Sequence, residues 1–370
     1  MIRKSDLSLR IGMIMMFLCA ALVLTMLPAA ADYNADNPLV THTQGTVTGG
    51  MNYTIGNSSY SPKIWNNDSD TGVVDHYNVE LTPGLPAGAT NVSARLYVYW
   101  TWSYINDLNT KYNAGKEAEM ALNFDNQYTF ADPDNRYVDW KNNSQQGTHN
   151  VDYNYPSGTY AYNVTDYVDA TNSSRTYYVN ISNSYPYVYD PSTAGNDSQS
   201  FNIQAVGLLV LYNVSGSTET KSYWIDEGCD LTNVGKFNAT DCSNDTGIWD
   251  ITPDQAVSLA NFTNVDTSNA NSAKLITCVP SGGTPYNRLY VNYFFNYPSW
   301  QNIKYWDGLW NKSPYSDFSW TRTEVYNNLI DDKTNYVGFQ NGLYSMVPLG
   351  KSEGQMQAAN AFLLLENTTN

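Results

Sequence analysis

The decapeptide Val92-Ser93-Ala94-Arg95-Leu96-Tyr97-Val98-Tyr99-Trp100-Thr101 alternates with a period of two. Val92, Ala94, Leu96, Val98 and Trp100 fall on one face, and Ser93, Arg95, Tyr97, Tyr99 and Thr101 on the other, which is the pattern of a β-strand. The same signal recurs at Val74–Leu81, Ala118–Phe124, Thr176–Ser182, Phe201–Tyr212, Ser222–Asp226, Leu275–Val279, Arg288–Phe295 and Ala358–Leu365. Leu208-Leu209-Val210-Leu211 is apolar at every position, as in a strand covered on both faces. No window carries a long 3.6-residue stripe; only short helical turns are expected, near Val164–Val168 and Val325–Leu329. Many short strands separated by Asn, Gly, Asp and Pro predict an all-β chain built of sandwich or jelly-roll-like units.

The pattern occurs twice. Ala94-Arg95-Leu96 is echoed by Ala273-Lys274-Leu275, and Asn163–Val168 by Glu324–Leu329. Ala205-Val206-Gly207-Leu208-Leu209-Val210-Leu211-Tyr212-Asn213 aligns with Ala359-Asn360-Ala361-Phe362-Leu363-Leu364-Leu365-Glu366-Asn367. The order is kept, so the reading is two tandem β-sandwich domains, residues 32–216 and 217–370.

Residues 1–31 read as a signal peptide. Arg3, Lys4 and Arg10 precede an apolar run from Ile11 to Leu27, and Ala29-Ala30-Ala31 suits cleavage before Asp32. No other stretch has the length of a membrane span. The expectation is an exported chain at the extracellular cell surface, with no membrane segment after signal removal.

The 370 residues carry 19 Lys+Arg against 35 Asp+Glu, a formal charge of -16. Without the first 31 residues the count is 16 basic against 34 acidic, a net of -18. That balance argues against nucleic acid, whose binding draws on cationic phosphate contacts. Only 15% of residues are charged while 14% are aromatic, including 31 Tyr and 10 Trp, so the chain has the material for packed cores. Three His, His42, His76 and His149, leave little scope for imidazole chemistry.

After export three cysteines remain. Cys229 and Cys242 close a short loop and are the preferred disulfide; Cys278 is then the odd thiol, either paired with a neighbouring chain or buried. Asn-x-Ser/Thr sequons are dense in this Asn-rich chain, and Asn52, Asn91, Asn163, Asn180, Asn213 and Asn238 are among the glycosylation candidates.

Candidate chemistry is sparse. Asp226, Glu227 and Asp230, with Asp241 and Asp245 downstream, gather carboxylates beside the proposed disulfide. Such a set suits a structural calcium ion, a carboxylate pair for glycoside hydrolysis, or a solvated acidic turn, and the sequence leaves the three open. Asp132-Pro133-Asp134-Asn135 with Asp139, and Asn67-Asp68-Ser69-Asp70, share that ambiguity. Tyr97, Tyr99, Trp100 and Trp102 either stack on sugar rings or form cross-strand pairs. Phosphate loops, His-centred nucleophiles and Cys/His metal spacings are absent from the sequence. The chain therefore reads as a non-enzyme with no cofactor beyond the candidate calcium.

Ala94–Trp100, Asn163–Asp166, Gly207–Tyr212 and Tyr223–Gly228 together resemble a β-rich domain-of-unknown-function family of exported methanogen surface proteins, and within it the sheath proteins of filamentous methanogens. The resemblance implies tough, amyloid-like stacks of β-rich hoops and carries over no catalytic residue. With export and two β-units, it gives the expected function: a structural component of a sheath or surface layer that self-assembles by edge-strand pairing into rings or sheets. The expected partners are further copies of the chain, other envelope proteins or glycans. The alternative is a surface carbohydrate-binding module or adhesin; a glycosidase using Asp226 and Glu227 comes third.

Overall fold

In a computed structural model, the described residues are 36–66, 74–107, 112–140, 156–186, 188–190, 195–233, 253–254, 256–283, 285–292, 304–310, 318–343 and 355–366. They form four antiparallel sheets. The first has the order β4 (His76–Leu81), β11 (Tyr177–Asn183), β7 (Met120–Phe124), β8 (Tyr128–Phe130). The second runs β12 (Val188–Asp190), β13 (Gly195–Val214), β5 (Ala89–Asp107), β10 (Ser157–Asn163), β9 (Asn135–Asp139); β2 (Gly50–Thr54) and β3 (Ile64–Trp65) also pair with β13, and β6 (Tyr112–Gly115) with β5. The third is β1 (Val40–Val47), β14 (Lys221–Asn233), β21 (Gln355–Glu366), β16 (Ser272–Val279), β19 (Ser319–Glu324). The fourth is β15 (Val257–Val265), β20 (Lys333–Asn341), β17 (Asn287–Val291), β18 (Lys304–Asp307). Single 3-10 turns at Thr165–Tyr167 and Tyr326–Asn328 stand where the two helical turns were expected.

Three apolar layers lie between these four sheets. Leu96, Val98 and Trp100 of β5 pack with Leu122 and Phe124 of β7 and Ile181 of β11, closing the first sandwich. Leu275 and Leu363 meet Phe262, Leu289 and Phe339, closing the second. The middle layer joins the sandwiches face to face: Tyr53, Tyr97, Tyr99 and Leu209 from one, Ile225, Ile276, Cys278, Phe362 and Leu364 from the other. Residues 34–370 accordingly form one compact unit. The polar-looking face of the deciding strand is thus buried too, because the second sandwich covers it. A buried hydroxyl needs a partner. Tyr97 donates to Glu227 at 2.8 Å and Tyr99 to Asn360 at 2.6 Å, while the Tyr53 and Tyr99 hydroxyls lie 3.0 Å apart.

The internal repeat has a structural counterpart. β4-β11-β7-β8 and β15-β20-β17-β18 have equivalent order, as do β13-β5-β10 and β21-β16-β19. Even the entry to each 3-10 turn is the same: Val164 N–H donates to the Ala94 carbonyl at 3.0 Å, and Val325 N–H to the Ala273 carbonyl at 2.9 Å. β1 departs from the chain order. It precedes the first sandwich in sequence but pairs with β14 of the second, from Val40 opposite Glu227 to Val47 opposite Lys221.

Because the middle layer is continuous with both cores, the two sandwiches should unfold in one transition. Phe362, which is fully buried there against Tyr53 and Tyr97, is the test position. Phe362→Ala is expected to cost about 3–5 kcal/mol, read from denaturant curves followed at both Tyr and Trp wavelengths.

Candidate functional site

β14 concentrates the buried acidic groups, and a break in its ladder decides where each one points. The pairing of β14 with β21 shifts register between Glu227 and Asp230. A bulge of this kind re-aims the side chains on either side of it. Glu227 points into the layer between the sandwiches and is fully buried. Arg95 clasps it with two bonds, Nε to Oε1 at 2.6 Å and Nη2 to Oε2 at 2.9 Å, the bidentate geometry that a planar guanidinium favours. The Tyr97 hydroxyl donates to Oε1 at 2.8 Å and the Tyr137 hydroxyl to Oε2 at 2.9 Å. Arg95 Nη2 also reaches Asn135 Oδ1 at 2.9 Å. The partly exposed His42 stands 3.9 Å from Glu227 through Nδ1, and its pKa is lowered, since burial outweighs the attraction of the carboxylate. Burial foremost, then the Glu227 charge, pushes the Tyr97 phenol well above its ordinary value, so it remains a donor.

Asp226, one residue earlier, serves the second sandwich. Its Oδ2 accepts the Asn261 N–H of β15 at 3.0 Å, while its Oδ1 is buried without a hydrogen-bond partner among the described residues. Burial raises its pKa from 3.8 to about 7.

Asp230 takes a third environment. Its carboxylate lies with those of Asp36 and Asp139 so that one oxygen of each falls within 4.8 Å of the others; Asp139 and Asp230 are buried and Asp36 is exposed. Asp139 also accepts the Leu231 N–H at 2.7 Å. Of the five residues considered for one calcium, the three described take separate environments: Asp226 and Glu227 serve different layers and Asp230 joins partners from distant segments, while Asp241 and Asp245 lie outside the described residues. The Asp36, Asp139 and Asp230 oxygens are the donor set suited to a hard cation or a shared proton. Asp139 had been visible within an acidic run; its meeting with Asp230 was not.

The other sequence candidates distribute as follows. Tyr97, Tyr99 and Trp100 are fully buried, so of the aromatic stripe only Trp102 is open to a sugar ring. Cys278, the candidate for an intermolecular bond, is fully buried beside Tyr53 and Tyr99, and burial pushes its thiol up to about 12; reaching a neighbouring chain would require opening the middle layer. Cys229 is buried with Sγ 3.4 Å from the Ser157 carbonyl oxygen, and Cys242 lies outside the described residues. Among the sequons, Asn52 spends its amide nitrogen on the Pro83 and Gly84 carbonyls, and Asn180 on Asn78. Asn163 and Asn213 accept through Oδ1, from Thr165 and Thr48 respectively. The Asn91 side chain and all of Asn238 lie outside the described residues.

The raised Asp226 pKa gives a signed prediction. The folded state holds this proton to about pH 7, whereas the unfolded chain releases it near 3.8. Its contribution is full below the unfolded value and is lost as pH rises through the folded one. Relative to Asp226→Asn, the wild type should lose about 1.4 kcal/mol per pH unit between those values and then level off. Urea midpoints of both proteins from pH 4.5 to 8.5 measure the gap.

Comparison with known proteins adds three findings. The chain belongs to the family described as a protein of unknown function (DUF3344), which matches residues 32–366. No curated protein matches the sequence. Similar solved structures include a peptide-N(4)-(N-acetyl-β-D-glucosaminyl) asparagine amidase, at 12% identity and TM-score 0.23 over 88% of this chain and 97% of that one. PNGase F, a glycosylasparaginase from Flavobacterium meningosepticum, is 12% identical with TM-score 0.21 over the same shares. A protein described as secreted, from Parabacteroides distasonis, is 9% identical with TM-score 0.19, covering 88% of this chain and all of that one. The reading of this chain as a non-enzyme is corrected by this finding: the first two of these neighbours carry enzyme names, and a motif-poor β-sandwich sequence does not exclude catalysis. At these scores the likeness assigns no reaction to the present chain.

Proposed function

We propose that this DUF3344 member is an exported, extracellular structural protein of a cell envelope, a sheath or surface layer of the methanogen type, which polymerises through the edges of its third sheet. The observation that carries the reading is β1. It is a terminal strand of its sheet, and Val40-Thr41-His42-Thr43-Gln44-Gly45-Thr46-Val47 contains no Lys, Arg, Asp, Glu or Pro. Edges that avoid pairing with other chains are normally blunted by such residues. Val40, Thr41, Gln44 and Thr46 are exposed along it. The opposite edge of the same sheet is β19, so joining β1 of one copy to β19 of the next is a heterologous contact that repeats without closing on itself as a dimer.

The energies are of the right order. About four backbone hydrogen bonds across an eight-residue edge, at roughly 0.5–1.5 kcal/mol each, supply several kcal/mol per junction. Repulsion between acidic subunits opposes this, but exposed charges are screened beyond about 8 Å at physiological salt. Assembly should therefore strengthen as ionic strength rises.

Negative-stain electron microscopy of residues 32–370 tests the proposal. Wild-type protein is expected to form rings, sheets or filaments at physiological salt. The double variant Gln44→Lys/Thr46→Lys, with two ammoniums on the exposed edge, is expected to remain a folded monomer. A wild type that stays monodisperse at every ionic strength, or a double variant that polymerises equally well, refutes pairing through β1.

A further inference from the structure

The seven arginines of the chain include five after the signal segment, and four of these are neutralised: Arg95 by Glu227, Arg136 by Glu117 and Asp132, Arg175 by Asp125, and Arg288 by Asp307. The fifth, Arg322, forms no ion pair among the described residues. It is exposed on β19 and sits opposite Ile276 of β16. In a chain with a large excess of carboxylates, an unneutralised guanidinium is out of keeping with its surroundings.

Two further cations stand nearby. Lys274, two residues before Ile276 on the same face of β16, and Lys221 at the start of β14 both bond to Glu366, the latter at 3.3 Å. Burial would raise the Glu366 pKa, but the two ammoniums prevail and hold it below the usual carboxylate range. Lys221, Lys274, Arg322 and Glu366 line a single cavity of about 110 Å³, closed on one side by Asn52 and Tyr212 of the first sandwich. Three cations thus face one carboxylate. The cavity has a local surplus of two positive charges, and Tyr212 stays a neutral phenol because burial raises its pKa.

We propose that this cavity is a binding site for a single oxyanion, a carboxylate, sulfate or phosphate, with acidic sugars as the ligand class that brings one. The volume suits an anionic head group and not a whole sugar ring, so the remainder of the ligand lies outside, across the exposed β19 edge. Arg322 supplies the planar fork that matches such a group, and the two lysines act as point charges behind it. Glu366 is an internal competitor: it occupies the lysines when the site is empty. The cavity is complete within one chain, and a ligand lying across β19 competes with β1 of a neighbouring copy for that edge.

Isothermal titration of residues 32–370 at pH 7 and low salt provides the test, with sodium sulfate, a glucuronate tetrasaccharide and a neutral glucose oligomer as probes. The tetrasaccharide is expected to bind saturably and the neutral oligomer not to bind. Arg322→Gln should weaken binding about tenfold, the loss of one charge-assisted contact. Glu366→Gln should strengthen it, an opposite shift that a merely structural role would not produce, and circular dichroism verifies that both variants fold. Arg288→Gln is the control and should bind like wild type. Sulfate binding without the sugar acid retains the oxyanion site and removes the saccharide. The proposal is overturned if no anion binds at 10 mM, or if Arg322→Gln binds as tightly as wild type.

Discussion

The Glu227 carboxylate, fully buried between two β-sandwiches, is the constraint around which the chain is arranged. A carboxylate withdrawn from water costs several kcal/mol unless it is neutralised and fully hydrogen-bonded. Here one guanidinium supplies the charge and two donors, and two tyrosines supply the rest. Arg95, Tyr97 and Tyr137 come from β5 and β9 of the first sandwich, Glu227 from β14 of the second. Apolar surfaces would let the two sheets slide over one another, because burial has no preferred direction. A bidentate pair tolerates little displacement, so it sets the register in which Tyr53, Tyr99 and Phe362 then pack. Tyr53, Tyr97, Tyr99, Tyr223, Phe318 and Phe362 are the aromatic residues buried in this layer.

Most strands were legible because their residues alternate, and the alternation reports a local property of the backbone. The second burial of β5 was not legible. Ser93, Arg95, Tyr97, Tyr99 and Thr101 form an ordinary solvent face until another sheet is laid on them, and nothing within the strand reports what covers it. The described part of the acidic run at β14 is divided among several environments for a related reason. Sequence proximity suggests convergence, but adjacent residues of a strand face opposite ways, and a bulge after Glu227 sends Asp230 to a third destination. Its partners Asp36 and Asp139 are brought in only by tertiary folding.

The repeat was the more reliable long-range signal. Matching short motifs in order, Ala94 with Ala273 and Val164 with Val325, identified backbone groups that make equivalent hydrogen bonds in both halves. It could not foresee that the two units would fuse face to face, since the residues of the middle layer differ between the copies: Tyr97 and Tyr99 on one side answer Ile276 and Cys278 on the other. Equivalent frameworks carry unlike outer faces, and that asymmetry is what makes their union specific.

The placement of β1 has a consequence for biogenesis. In a chain made from N- to C-terminus, Val40 emerges well before Glu227 and Lys221, which bracket its pairing and follow only after the strands of the first sandwich. Until then β1 is an uncharged strand whose partner has not yet been made, as in any other nascent copy of the chain. Pairings between segments so far apart in sequence form late, since loop closure precedes any gain from contact. The interval between emergence and closure is therefore the period in which exchange of this strand between neighbouring chains is easiest.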